Sequence, residues 1–144
     1  MAIYYIPFVV QGFAMAFDEL YFHRKRGLGL WEKIGHPVDS FTVFLSYLFI
    51  ALSNPTLENL KIYIGLCALS CLVITKDEFV HKEACPAAEN WLHSVLFVIH
   101  PICFLSAGML WFYGLNAQFI KYQPYLIFGF IVYQIIYWSS RERR

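Results

Sequence analysis

Four of the five histidines in this 144-residue chain have a carboxylate four residues before them. Glu19 precedes His23, Glu32 precedes His36, Asp77 precedes His81 and Glu89 precedes His93. On an α-helix, residues i and i+4 lie on one face. Each pair can therefore aim a carboxylate oxygen and an imidazole nitrogen at one point. Glu78 stands three residues before His81, so either Asp77 or Glu78 can serve there. Imidazole suits zinc, copper, iron and nickel, whereas carboxylates suit harder ions. Four histidines and four carboxylates exceed the needs of one ion and match two ions with mixed nitrogen and oxygen ligands. Solvated ion pairs are the plainer reading of such neighbours, and the repeated spacing favours metal over them.

Three further residues stand near these pairs. Asp18 adjoins Glu19 and is placed as an outer support of the site. Asp39, three residues after His36, either orients that imidazole or caps the helix that follows. His100 shares a helix face with His93 and is followed by Pro101. It reads equally as a ligand, a substrate or proton contact, or a hydrogen-bonded histidine inside a bundle. The four cysteines form no CxxC pair, and Cys67 and Cys71 share a helix face where packing is their expected role.

The elements that must position these groups are apolar. Hydrophobic residues make up 59% and charged residues 15% of the chain, against about 45–50% and 25% in soluble domains. The excess falls into five runs, near 3–22, 37–53, 60–75, 91–115 and 124–139. Each approaches the length of about 20 residues that spans hydrocarbon, where only helices or closed barrels satisfy the backbone. The expectation is one all-α integral membrane domain over 1–144 with five transmembrane helices. The first run has no basic leader and no small-residue cleavage site, so it is expected to remain as a helix.

Nine basic residues (Arg24, Lys25, Arg26, Lys33, Lys76, Lys82, Arg141, Arg143 and Arg144) fall on one side of this arrangement, and only Lys61 and Lys121 on the other. The positive-inside rule then puts the N-terminus outside and the C-terminus in the cytoplasm of a bacterial inner membrane or its equivalent. All four acid–histidine pairs come to the cytoplasmic end. Trp31, Trp91 and Trp138 are expected in the aromatic belt there. A weak repeat relates the halves: Glu19 and His23 match Asp77 and His81 at an offset of 58, and Glu32 and His36 match Glu89 and His93 at 57. Helices 1–2 and 3–4 become two parallel copies of one hairpin.

With its glutamates and the Glu78–His81 spacing, the chain resembles the helical-bundle di-metal carboxylate proteins, which combine bundle glutamates with Glu-x-x-His motifs. In the placement of ligands at the membrane face it also resembles the integral-membrane desaturases and hydroxylases, although their HxxxH and HxxHH boxes are absent. These resemblances imply a di-iron oxidoreductase acting on a lipid or other hydrophobic substrate, fed by a cytoplasmic electron donor. Arg24, Lys25 and Arg26 would dock that donor or an anionic head group. The alternatives are a zinc-dependent membrane hydrolase and a metal transport or metal-handling protein. The basic residues sit in loops between apolar runs, and no nucleic-acid partner is expected.

Overall fold

The computed structural model describes residues 2–79 and 85–140. Among these residues there is no strand. Five long helices follow a single 3-10 turn, Ala2–Tyr4. Helix α1 has three continuous pieces: an α segment Ile6–Phe17, a π segment Asp18–His23 and a last α turn Arg24–Arg26. Helix α2 is Leu30–Leu52. Helix α3 is Leu57–Val73 and tightens into a 3-10 turn, Ile74–Asp77. Helix α4 is Ala87–Phe112 and α5 is Ala117–Ser139.

Four stretches, Leu30–Leu52, Leu57–Asp77, Ala87–Phe112 and Ala117–Ser139, are long and apolar enough to cross a membrane. Helix α1 is not among them. Large apolar side chains such as Ile64, Leu72, Leu105 and Ile136 face outward on these helices. A multi-pass membrane protein explains this surface, because hydrocarbon solvates it without cost.

Four helices begin earlier than the apolar runs suggest. Helix α2 starts seven residues before Pro37, so Glu32 and His36 belong to it and need no separate interfacial helix. Gly27, at φ 75°, turns the chain out of α1 in a conformation that costs glycine little. The Gly29 N–H then donates to Glu32 Oε2 at 2.9 Å, which anchors the first turn of α2. Prolines 37 and 124 sit inside α2 and α5 rather than opening them. Helix α5 instead starts where Asn116 Oδ1 accepts the Phe119 N–H at 3.0 Å. Helix α4 stops short of Leu115. Gly114, at φ 62°, lets the Leu115 N–H reach the Leu110 carbonyl and the Gly114 N–H reach that of Trp111, the paired bonds of a Schellman stop.

The helices follow one another around a ring. α1 packs on α4, α4 on α3, α3 on α2, and α2 makes the most extensive pairing of all with α5. No comparable pairing joins α5 back to α1. One end of the ring holds a dry core of Tyr47, Ile50, Tyr63, Phe104, Leu110 and Trp111. Tyr63 donates its hydroxyl to the Phe104 carbonyl at 2.8 Å, and Trp111 donates its indole N–H to the Ser53 carbonyl at 3.1 Å. The other end holds nearly every buried charge.

Candidate metal centre

The site is assembled from the last turns of α1 and the first turns of α4. On α1, the π segment changes which residues share a face. Its i→i+5 repeat carries Asp18 and His23 to the same side, where an α-helix would have turned them apart. On α4, Glu89 and His93 keep the ordinary i, i+4 relation. The four side chains are buried, and one ligand atom from each falls within 4.8 Å of all the others.

Asp18 Oδ2 is 3.1 Å from His23 Nε2 and 3.0 Å from His93 Nε2. Glu89 Oε1 is 3.7 Å from His23 Nε2. Adjacent donors around one ion are separated by about 3 Å when the metal–ligand bonds are about 2.1 Å. The Asp18–histidine spacings are those of hydrogen-bonded ion pairs, and donors around a shared cation stand equally far apart. Asp18 Oδ1 is buried with no hydrogen-bond partner among the described residues, and His23 Nε2 lacks hydrogen-bond alignment despite its near neighbours. Buried polar atoms are rarely left this way unless a water or an ion completes them.

The surrounding side chains hold these donors in place. His23 Nδ1 pairs with Glu19 Oε2 at 3.1 Å, and Trp138 donates its indole N–H to Glu19 Oε1 at 2.6 Å. This chain fixes the imidazole ring and leaves Nε2 facing the cluster. Trp138 is thus buried at 2% exposure within the site, not in the aromatic belt, whereas Trp31 and Trp91 are exposed. Arg26 turns inward as well. Its guanidinium meets Glu32 at 2.9 and 2.7 Å and Glu89 at 2.7 and 3.4 Å. Glu32 and Glu89 are each the third residue of their helix, so the two repeat-related glutamates meet at one arginine. Four buried carboxylates lie at this end: Glu32 and Glu89 meet the guanidinium, and Asp18 and Glu19 meet His23. Such an excess of negative charge needs protons or a cation to be stable away from water.

A second polar group lies on α2 and the end of α3. The His36 ring packs edge-on against His23, with centroids 4.9 Å apart. Lys76 Nζ sits 2.6 and 2.7 Å from the Asp39 oxygens and 3.1 Å from Asp77 Oδ1. Gly35 makes room for this approach, since a Cβ there would stand 3.1 Å from Asp77 Oδ1. Asp77 is buried and the adjacent Glu78 is exposed, so the inward-facing carboxylate at this turn is Asp77. His81 lies outside the described residues.

His100 stands deeper in the bundle. Its Nδ1 is 3.2 Å from Gln11 Nε2 and its Nε2 is 3.1 Å from Ser70 Oγ, which accepts from Thr42 at 2.9 Å. It ties α1, α2 and α3 to α4 through hydrogen bonds and stands apart from the four-residue cluster.

The two stretches around residues 17–39 and 76–93 therefore meet, but only some of the expected residues converge. Asp18, His23, Glu89 and His93 share a point. Glu19 and Glu32 face His23 and Arg26, and Asp77 and Asp39 face Lys76. Arg26, Lys76 and Trp138 complete the site without having been singled out as parts of it. The place of Asp18 at the shared point depends on the π segment, for which an α-helical period gives no signal.

Comparison with protein-family models, with curated proteins and with solved structures finds no match.

Replacing Glu19 with glutamine should weaken metal binding by about 10–100-fold, the usual loss when a histidine ligand's carboxylate partner is removed. Trp138→Phe should act in the same direction and less strongly. Competition with a chelator of known affinity reads both; an unchanged affinity in Glu19→Gln would show that Glu19 does not orient His23.

Proposed function

We propose that this chain is a membrane-embedded metalloenzyme, an oxidoreductase that acts on a lipid or other apolar substrate at an ion held by Asp18, His23, Glu89 and His93. The observation that carries the reading is the convergence of four buried ligand atoms within 4.8 Å of one another. Two imidazoles and two carboxylates suit iron, manganese or zinc better than the softer ions that thiolates select. The choice of iron, and with it the oxidative chemistry, rests on the resemblance to the di-metal carboxylate proteins. When bound, iron would supply one-electron chemistry that no side chain of this site can provide.

An apolar substrate is supported by the cavity beside the cluster. It has a volume of about 590 Å³ and is lined by α1, α2, α4, α5 and the turn that ends α3. Asp18, His23 and His93 stand at its polar end, while Met15, Leu96, Phe97 and Phe130 line its walls. This volume is within the usual range of about 300–1,000 Å³ for small-molecule sites. Glu19 would hold His23 in its ligating orientation, and Arg26 would balance the charge of Glu89. Asp39 and Asp77, which also line the cavity, would carry or accept protons beside Lys76. A second ion among Glu19, His36 and Asp77 requires Lys76 to leave its place between the two aspartates.

In this reading α1 is a fifth span and the centre lies at the cytoplasmic face, supported by the nine-to-two division of basic residues. Electrons would then arrive from a cytoplasmic donor. Arg24 and Lys25, rather than the inward-turned Arg26, would face it.

Elemental analysis of the purified protein tests the proposal. We expect at least one iron per chain, and less than a tenth of that in the His23→Ala/His93→Ala double variant. Stoichiometric zinc would turn the reading to a hydrolase with a metal-activated water. Substoichiometric metal, or metal unaffected by the double substitution, would overturn the centre.

A further inference from the structure

The ring of helices is open on one side. α1 and α5 touch at both ends and diverge between them. At one end Asn116 Nδ2 donates to Tyr5 Oη at 2.9 Å, and Phe119 packs against Tyr5 and Phe8 with ring centroids 5.0 and 4.9 Å apart. At the other end Trp138 reaches Glu19 at 2.6 Å, and the Arg24 guanidinium lies 5.2 Å from the Tyr137 ring. Between these closures the backbones make no sustained approach.

The lips of this seam also line the cavity. On α1 they are Val9, Gly12 and Ala16; on α5 they are Leu126, Ile127 and Phe130. Val9 is 54% exposed and Leu126 67% exposed, so both face the outside as well as the interior. A Cβ added at Gly12 would meet nothing within 4 Å. Of the polar side chains on its walls, Gln11 meets His100, and Ser40 donates to Gln134 at 2.8 Å. Most of the surface that the cavity offers an occupant is apolar.

We propose that the cavity is loaded sideways from the bilayer, through the seam between α1 and α5, by one unbranched alkyl or acyl chain. This rests on the reading above of a metal centre that acts on an apolar substrate, and it names that substrate's shape and route. The cavity's wall on α1 runs from Phe8 to His23, which is about 22 Å at 1.5 Å per residue. A volume of about 590 Å³ drawn out over that length makes the space long and narrow. Phe8, Tyr47 and Phe119 stop it at the end remote from the ligands. From Phe8 to Asp18 is about 15 Å, the length of about twelve extended methylenes. The chain enters with its far end toward the aromatic stop, and the carbons nearest Asp18 and His93 are those that can react.

Displacement of a fluorescent fatty acid by straight-chain saturated fatty acids of increasing length tests this on the full-length protein. Affinity should rise roughly fourfold for each added methylene until the chain fills the cavity, near twelve carbons, and then level off. Gly12→Trp, which fills the seam, should lower the affinity for all filling chains by at least tenfold. Leu126→Trp, on the opposite lip, should do the same. Bound metal in both variants should remain at the wild-type level, which shows that they fold. Chelator-treated wild-type protein should retain its chain-length profile, so a failed metal centre and a failed chain site give separate results. Affinity that ignores chain length, or that both tryptophan variants leave intact while keeping their metal, would overturn the proposal.

Discussion

Asp18→Asn should remove the stabilisation that added metal gives the wild-type protein. The substitution keeps the size of the side chain and an oxygen to accept hydrogen bonds. It removes the charge from the atom that stands 3.0–3.1 Å from both imidazoles. An ion that binds only the folded state raises stability by about 2.7 kcal/mol at one hundred times its dissociation constant. Wild-type protein should therefore show an unfolding midpoint that rises steadily with metal concentration. In Asp18→Asn the midpoint should stay flat over the same range, because the loss of a direct anionic ligand exceeds the roughly 10–100-fold cost of losing an outer partner. If Asp18 serves only as a partner of His23 and His93, the variant will lose stability without metal and still respond to it. That pattern would remove Asp18 from the ligand set.

The second large effect belongs to Arg26. Its side chain is 18% exposed, and the carboxylates it joins are almost completely covered, Glu32 at 2% and Glu89 at 0%. Removing one member of a buried ion pair leaves an uncompensated charge and costs about 3–5 kcal/mol. Arg26→Ala leaves two such charges, so we expect destabilisation at the upper end of that range. Arg26→Lys should recover only part of it, since one ammonium cannot reproduce a fork that meets both carboxylates. Metal should stabilise Arg26→Ala more than it stabilises the wild type, because a cation beside Glu89 takes over part of the guanidinium's role. Thermal unfolding of the three proteins with and without metal measures these differences. A loss under 1 kcal/mol in Arg26→Ala would mean that the two glutamates are already protonated or otherwise balanced.

These two residues also mark what could and could not be read from the order of the amino acids. The helical, membrane-spanning character was legible because long apolar runs leave the backbone few choices. The meeting of the two acid–histidine stretches was legible from the alternating direction of the helices, which brings every second connection to one end. The inner arrangement was not. Counting at i+4 assumes an unbroken α period, and the π segment at Asp18–His23 shifts that period by one. Asp18 therefore replaces Glu19 at the shared point, and Glu19 moves behind His23. Arg26 looked like one of three basic loop residues. Nothing in its spacing distinguishes the one that turns inward to Glu32 and Glu89 from Arg24 and Lys25, which lie over tyrosine rings. Trp138 was placed by its position near the end of an apolar run, and its bond to Glu19 spans 119 residues. The helix starts were misread in a simpler way. The apolar runs begin near residues 37 and 124, yet α2 and α5 each begin seven residues earlier, at Leu30 and Ala117, in more polar sequence.

The bond between Trp138 and Glu19 also has a consequence for how the molecule comes into being. Asp18 and Glu19 leave the ribosome with α1, but His93 follows 75 residues after Asp18, and Trp138 lies in the last turns of α5. Until α4 and α5 have been made, the carboxylates of the first helix have only His23 of their own helix to meet. During that interval water and protons must stand in for His93 and the Trp138 indole. The cluster is thus a late product of assembly, brought together only when α4 has joined α1 and braced only when Trp138 of α5 has reached Glu19.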